Sequence, residues 1–236
     1  MERDNQKHHP QAAHAAHSPH ADGVEFATFA TREDFSRIQK RKGTYLPHWT
    51  AEGAVYHVTF RLHDSLPESA RMSLMHERER ILAEIGRPNC PMTRYEKDQL
   101  LFLHSLRIDR CLDAGHGSCW LKNESIAEMV ANALRFFDGD RYSLFAWCVM
   151  PNHVHAVVQP ADGRELAAIL HSWKSYTANQ ANRMLGRSGK FWQQEYFDRV
   201  LRDETEFLDG IEYVFANPDR AGLPDWKWRW RREIGG

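Results

Sequence analysis

The sequence predicts an α+β fold of ferredoxin-like type, an antiparallel sheet with helices packed on it. Short β-branched and aromatic runs alternate with helical stretches in the order strand, helices, hairpin, helix, strand, helix. Met150-Pro151-Asn152 separates two apolar runs, a turn signal that marks an antiparallel pair. No apolar run approaches the roughly 18 residues of a membrane span, and the start, MERDNQKHHP, lacks the apolar core of a secretory signal. A soluble, cytoplasmic protein without a membrane partner is therefore expected.

Residues 1–44 read as a disordered tail and basic lead-in. His8, His9, His14, His17 and His20 stand there among Ala, Gln, Asp and Pro, with too little apolar surface to order the chain. The folded domain is expected over residues 45–224. Its first strand is Ala54 to Leu62, rich in β-branched and aromatic residues. Helical spacing follows from Glu68 to about Ile85 and from Thr93 to Leu112, broken at Gly86-Arg-Pro-Asn. These charge-balanced helices make an insertion at about 64–122. A helix over Ser125 to Phe137 buries Ile126, Met129, Val130 and Ala133.

The hairpin strands run from Tyr142 to Val149 and from His153 to Gln159. A helix over Arg164 to Leu185 carries Leu166, Ile169, Leu170, Trp173 and Ala181 on one side, with Tyr176 on the same stripe and so in the core. Phe191 to Leu201 reads as a strand, where packing accounts for Tyr196. The last helix opens at Asp203 with Glu206 in capping-box spacing and is expected to stop near Asn217, because Pro218 disfavours the helical region for the residue before it. Residues 225–236 read as a basic Trp/Arg-rich tail.

With 31 Lys+Arg against 32 Asp+Glu the net charge is −1, so a globally basic surface is excluded and any nucleic-acid surface has to be local. Arg37, Lys40, Arg41 and Lys42 form one basic run, and Lys227, Arg229, Arg231 and Arg232 another. The second alternates with Trp226, Trp228 and Trp230. It suits base stacking over a phosphate groove and equally a tail whose tryptophans fold back on the core. Cys90, Cys111, Cys119 and Cys148 lack the paired spacing of a disulfide framework or zinc site.

His153 and His155 flank Val154, so on a strand both imidazoles leave one face, about 6.6 Å apart along the backbone, and can chelate one cation. Taken alone, an H-x-H pair is weak evidence and more often marks two half-exposed histidines. In the last helix the apolar stripe is Phe207, Leu208, Ile211, Val214 and Phe215. Glu206, Asp209, Tyr213 and Asn217 form a separate stripe, so a phenol and a carboxamide stand one turn apart. The pair suits a nucleophile and a metal-ligating oxygen, or a surface tyrosine beside a helix-ending asparagine.

Val149-Met-Pro-Asn-His-Val-His155, Phe191-Trp192, Tyr196-Phe197-Asp198, Tyr213-Val-Phe-Ala-Asn-Pro218 and Ala221-Gly222-Leu223 together resemble the single-tyrosine HUH transposases, above all their REP-associated branch. Tyr56-His-Val-Thr-Phe-Arg-Leu62 is similar to that family's first strand. The resemblance covers about Tyr45 to Leu223 and implies that residues 45–224 are an HUH catalytic domain. It implies His153, His155 and Asn217 as ligands of a divalent ion, Mg²⁺ or Mn²⁺, and Tyr213 as the nucleophile. The implied partner is single-stranded or hairpin DNA, cut and rejoined through a 5′-phosphotyrosine. The insertion has no counterpart in the minimal fold, and neither the oligomeric state nor the recognised DNA sequence is legible.

A phenol with a pKa near 10 needs its ionised form favoured before it attacks. Two other classes compete: a binding protein that grips DNA hairpins without cutting, and, more distantly, a 2H-type phosphoesterase, since His57-Val-Thr59 and His153-Val-His155 loosely imitate its paired motifs.

Overall fold

The computed structural model describes residues 39–42, 47–50, 53–87 and 89–234. Arg37 and the histidine-rich tract lie outside them. Strands β1 (Gln39–Lys42) and β2 (Pro47–Thr50) pair as a two-stranded ribbon, which places Lys40, Arg41 and Lys42 on β1. Then come β3 (Val55–Arg61), α1 (Glu68–Ile85), α2 (Arg94–Asp113), a short 3₁₀ turn at Trp120–Lys122 and α3 (Glu124–Arg135). The hairpin strands are β4 (Tyr142–Val149) and β5 (His153–Pro160), followed by α4 (Leu166–Met184), β6 (Phe197–Leu201), α5 (Glu204–Arg220) and β7 (Arg229–Arg231).

The main sheet is antiparallel throughout, in the order β6-β3-β5-β4-β7. Without β7, four strands and the crossovers α3 and α4 have the ferredoxin-like order, so the α+β fold class is as the sequence predicts. Strand alternation divides the side chains between two faces. Tyr56, Val58, Phe60, Val154, Ala156 and Val158 meet α3 and α4 on one face. Val55, Val157 and Cys148 meet Phe207, Ile211 and Val214 of α5 on the other. A bulge between Leu144 and Ala146 turns Phe145 and Ala146 together toward α5.

Some elements differ from expectation. The strand read over Phe191 to Leu201 is two pieces. Trp192 bridges Leu62 and Gln193 N donates to Arg61 O, but pairing with β3 resumes only at Phe197. Helix α5 does not stop at Asn217. It runs through Pro218 to Arg220, and the N–H groups of Ala221, Gly222 and Leu223 close the end on the carbonyls of Asn217, Asp219 and Pro218. Pro218 forfeits one donor, which a helix tolerates within its last turn. Tyr176, expected in the core, is 52% exposed because the buried stripe of α4 continues by steps of four through Trp173, Thr177 and Ala181, which leaves Tyr176 off its edge, and Leu208 is exposed on α5.

The segment read as a basic tail supplies β7, the edge strand on β4. Trp228 and Trp230 pack on the core and Trp226 Nε1 donates to Val149 O at 2.6 Å. The tryptophans therefore fold back. Its cations meet carboxylates: Lys227 with Glu124, Arg229 with Asp219, Arg231 with Glu212 and Arg232 with Asp138.

The insertion is an α1–α2 hairpin clasped at its exit. Asp64 accepts from Ser118 N at 2.9 Å and from the Ser118 hydroxyl, and Gly117 passes so close that a Cβ would lie 2.4 Å from Asp64 O. With φ +85°, that position requires glycine. The clasp brings the last turn of α2 against the HUH strand.

Candidate active site

The site lies on the α5 face of the sheet. His57 and Thr59 of β3 and His153 and His155 of β5 alternate with residues of the opposite core, and β3–β5 register sets Thr59 opposite His155. His153 and His155 are fully buried, with ring centroids 4.7 Å apart. Burial holds His57 and His153 down to about 3, and holds His155 well below the ordinary imidazole value with help from His153, His57 and Arg220. All three are neutral, the state in which imidazole offers a lone pair.

The tautomer of His153 follows from its neighbour. Asn152 Nδ2 donates to Leu112 O at 3.1 Å and to His116 O at 3.0 Å, so Asn152 Oδ1 is the atom facing His153 Nδ1 at 2.7 Å. His153 Nδ1 must carry the hydrogen, and Nε2 is left with a bare lone pair. His155 Nδ1 meets Thr59 Oγ1 at 2.8 Å and His57 Nε2 at 3.3 Å, which leaves its Nε2 for a ligand too.

Helix α5 adds Tyr213, half-buried with its ring 5.4 Å from that of His57 and 5.9 Å from that of His155, and, one turn further along, the buried Asn217. The stripe expected to face away from the packed side of α5 therefore meets the histidines at Tyr213 and is buried at Asn217. The Arg220 guanidinium lies 3.8 Å over the Tyr213 ring and donates to Tyr213 O at 2.9 Å.

Four buried atoms here have no hydrogen-bond partner: His153 Nε2, His155 Nε2, Asn217 Oδ1 and Asp113 Oδ1. Three of them are the ligand atoms that the sequence resemblance implies. Buried lone pairs without donors are costly, and a cation held here would satisfy those it reaches. Among the described residues no three His, Cys, Asp or Glu side chains converge as a ready-made cluster; the third donor here is an amide.

Two carboxylates come from α2, which sequence reading left without a role. Asp109 Oδ2 accepts from the Tyr213 hydroxyl at 2.8 Å, and Asp113 Oδ1 lies 3.8 Å from His153 Nε2. Burial raises Asp109 to about 7 and Asp113 to about 6. Burial also pushes the Tyr213 phenol up, with the nearby Asp109 charge as the second cause. The available signal was the i, i+4 spacing of the two aspartates, which puts both on one face of α2.

Residues 120–213 match the sequence profile of the family described as Transposase IS200 like. Over this stretch the chain is similar to the IS200-like transposases. The matched stretch contains both histidines and ends at Tyr213; Asn217, Asp109 and Asp113 lie outside it. A Haemophilus influenzae protein assigned as a REP-associated tyrosine transposase is 22% identical over 99 residues, 36% of this chain. That alignment spans only 56% of the Haemophilus influenzae protein. A solved REP-associated tyrosine transposase bound to a REP hairpin is 13% identical, with 84% of this chain and 94% of that one covered at a TM-score of 0.42. A transposase structure from Deinococcus radiodurans is 12% identical, with 66% and 84% covered at a TM-score of 0.31. At these TM-scores the two structures add nothing to the fold described from the chain itself.

Proposed function

We propose that the protein is a metal-dependent DNA strand transferase that cuts and rejoins single-stranded or hairpin DNA through a 5′-phosphotyrosine on Tyr213. The observation that carries this reading is the set of three buried, orphaned donors, His153 Nε2, His155 Nε2 and Asn217 Oδ1, together with a tyrosine whose ring meets His57 and His155 and whose hydroxyl is hydrogen-bonded to a buried carboxylate.

The donor set fits a divalent cation of the Mg²⁺ or Mn²⁺ kind, which when bound would polarise the non-bridging oxygens of the scissile phosphate. The chain's own residues supply the rest. Tyr213 Oη forms the new P–O bond and the bond to the 3′ oxygen breaks, which leaves a free 3′-hydroxyl once that oxygen takes up a proton. Asp109, poised near neutrality by burial, accepts the phenol proton as the P–O bond forms. Arg220, stacked on the tyrosine ring, places positive charge where the phosphate arrives. Rejoining reverses the displacement, so the bond energy is conserved and no nucleotide is consumed.

Beside Asp109 a cavity of about 240 Å³ is lined by Arg61, Arg71, Arg78, Tyr196 and Phe197 among others, cations and aromatics suited to a DNA strand entering the site. The basic lead-in at Arg37, Lys40, Arg41 and Lys42 is a second proposed DNA contact. Lys227, Arg229, Arg231 and Arg232 are a third, which would require phosphates to displace their present carboxylate partners.

The test is incubation with 5′- and 3′-labelled hairpin DNA and Mn²⁺, followed by a denaturing gel. A protein–DNA adduct that retains the label 3′ of the cut is expected. Tight hairpin binding with no adduct under any divalent ion would leave a DNA-gripping protein and overturn the enzyme reading.

A further inference from the structure

We infer that Asp113 is a fourth protein ligand of the same cation, contributed by the insertion helix α2; this rests on the metal site proposed above. The Asn152 bridge leaves His153 Nε2 without a hydrogen, and 3.8 Å away stands Asp113 Oδ1, buried and without a hydrogen-bond partner. An unprotonated imidazole nitrogen and a carboxylate oxygen are both acceptors and cannot bond to one another. Two facing lone pairs shielded from water are costly unless a proton or a metal cation lies between them or beside both.

With bonds of about 2.1 Å in octahedral geometry, neighbouring donors lie about 3 Å apart. At 3.8 Å the two atoms stand wider than that, and Asp113 does not converge with both imidazoles as the side chains stand, so the carboxylate has to close on the ion by about 1 Å as it binds.

The chemistry of the set points the same way. Two neutral imidazoles and one amide bring no charge to the ion, whereas hard divalent cations are held by anionic oxygen. Asp113 supplies that oxygen. Its position is built in, because Asn152 donates to Leu112 O on one side of Asp113 and His116 O on the other, while its own Oδ1 orients His153. The Asp64–Ser118 clasp holds the same turn from below. One asparagine therefore sets both the ligand nitrogen and the loop that presents the carboxylate.

The experiment is calorimetric titration of Mn²⁺ into the full chain without DNA, for wild type, Asp113→Asn and His155→Ala, with circular dichroism to check folding. Asp113→Asn is expected to weaken Mn²⁺ binding about tenfold or more, to shrink the Mn²⁺-induced rise in Tm, and to leave the metal-free secondary structure intact. Asp113→Glu, which keeps the charge, should recover most of the affinity. Should Asp113→Asn not fold, Asp113→Ser removes the same charge with a smaller side chain and serves in its place. Wild-type affinity in the charge-removed variant, together with lost binding in His155→Ala, would overturn the inference and spare the site. Wild-type Mn²⁺ affinity in His155→Ala would instead sink the metal site itself.

Discussion

The Tyr213 hydroxyl donates to Asp109 Oδ2 at 2.8 Å, joining helix α5 to an insertion helix 104 residues earlier in the chain. Asp109 is 4% exposed, and burial raises its carboxyl to about 7. A phenol that burial makes harder to ionise is thus paired with an acceptor that burial makes a stronger base. The insertion therefore reaches the tyrosine rather than only decorating the fold.

Tyr213→Phe should abolish the covalent DNA adduct while hairpin binding and Tm stay close to wild type. The ring keeps its contacts with His57, His155 and Arg220, and only one hydrogen bond is lost, worth about 1 kcal/mol. Tyr176→Phe, at an exposed ring, should form adduct normally. The opposite pattern on a denaturing gel would move the nucleophile to Tyr176.

Asp109→Asn should slow adduct formation and, without metal, stabilise the fold at pH 8 but not near pH 4. The folded carboxyl titrates near 7, above its unfolded value of about 3.9, so its contribution to stability is full below the unfolded pKa and is lost as pH rises through about 7. Asparagine mimics the neutral acid and avoids that loss, a gain of a few kcal/mol at about 1.4 kcal/mol per pKa unit. Thermal melts in EDTA at the two pH values decide it. An equal Tm difference at both would show that Asp109 titrates normally.

The double change His153→Ala and His155→Ala should lower cleavage by about two to three orders of magnitude, the scale of a lost electrostatic stabiliser, and millimolar Mn²⁺ should not restore it. Asn217→Ala leaves both imidazoles in place, so partial recovery at high Mn²⁺ is expected. Single-turnover rates across a Mn²⁺ series distinguish the two, and full rescue of the histidine variant would count against ligation.

Much of this was legible in the chain. The alternation of β5 put His153 and His155 on one face, and the spacing of α5 put Tyr213 and Asn217 on one side, whatever else the fold did. The carboxylates of α2 were not legible, because an aspartate on a charge-rich helix carries no local mark of burial. Only the docking of α2 on the sheet distinguishes Asp109 from its exposed neighbour Arg110. Asn152 read as a turn residue, and two of its three hydrogen bonds reach a segment more than 30 residues away. Tyr176 lies outside the core because a step of three from Trp173 and a step of four reach different sides of the stripe, and the buried one is Thr177. Pro218 was overweighted as a stop signal, since the proline falls in the last turn of α5, where few backbone bonds remain to be broken.

Helix α5 is fastened at both ends to the sheet that carries the histidines, through β6 before it and through β7 and the Trp226–Val149 bond after it. Tyr213 thereby sits beside the histidines of its own chain, and a site assembled within one molecule is the expectation to test. Catalysis should then be first order in protein, with the rate per molecule unaffected by dilution. A mixture of Tyr213→Phe chains and His153→Ala chains should stay inactive, since neither defect can be repaired by lending a helix.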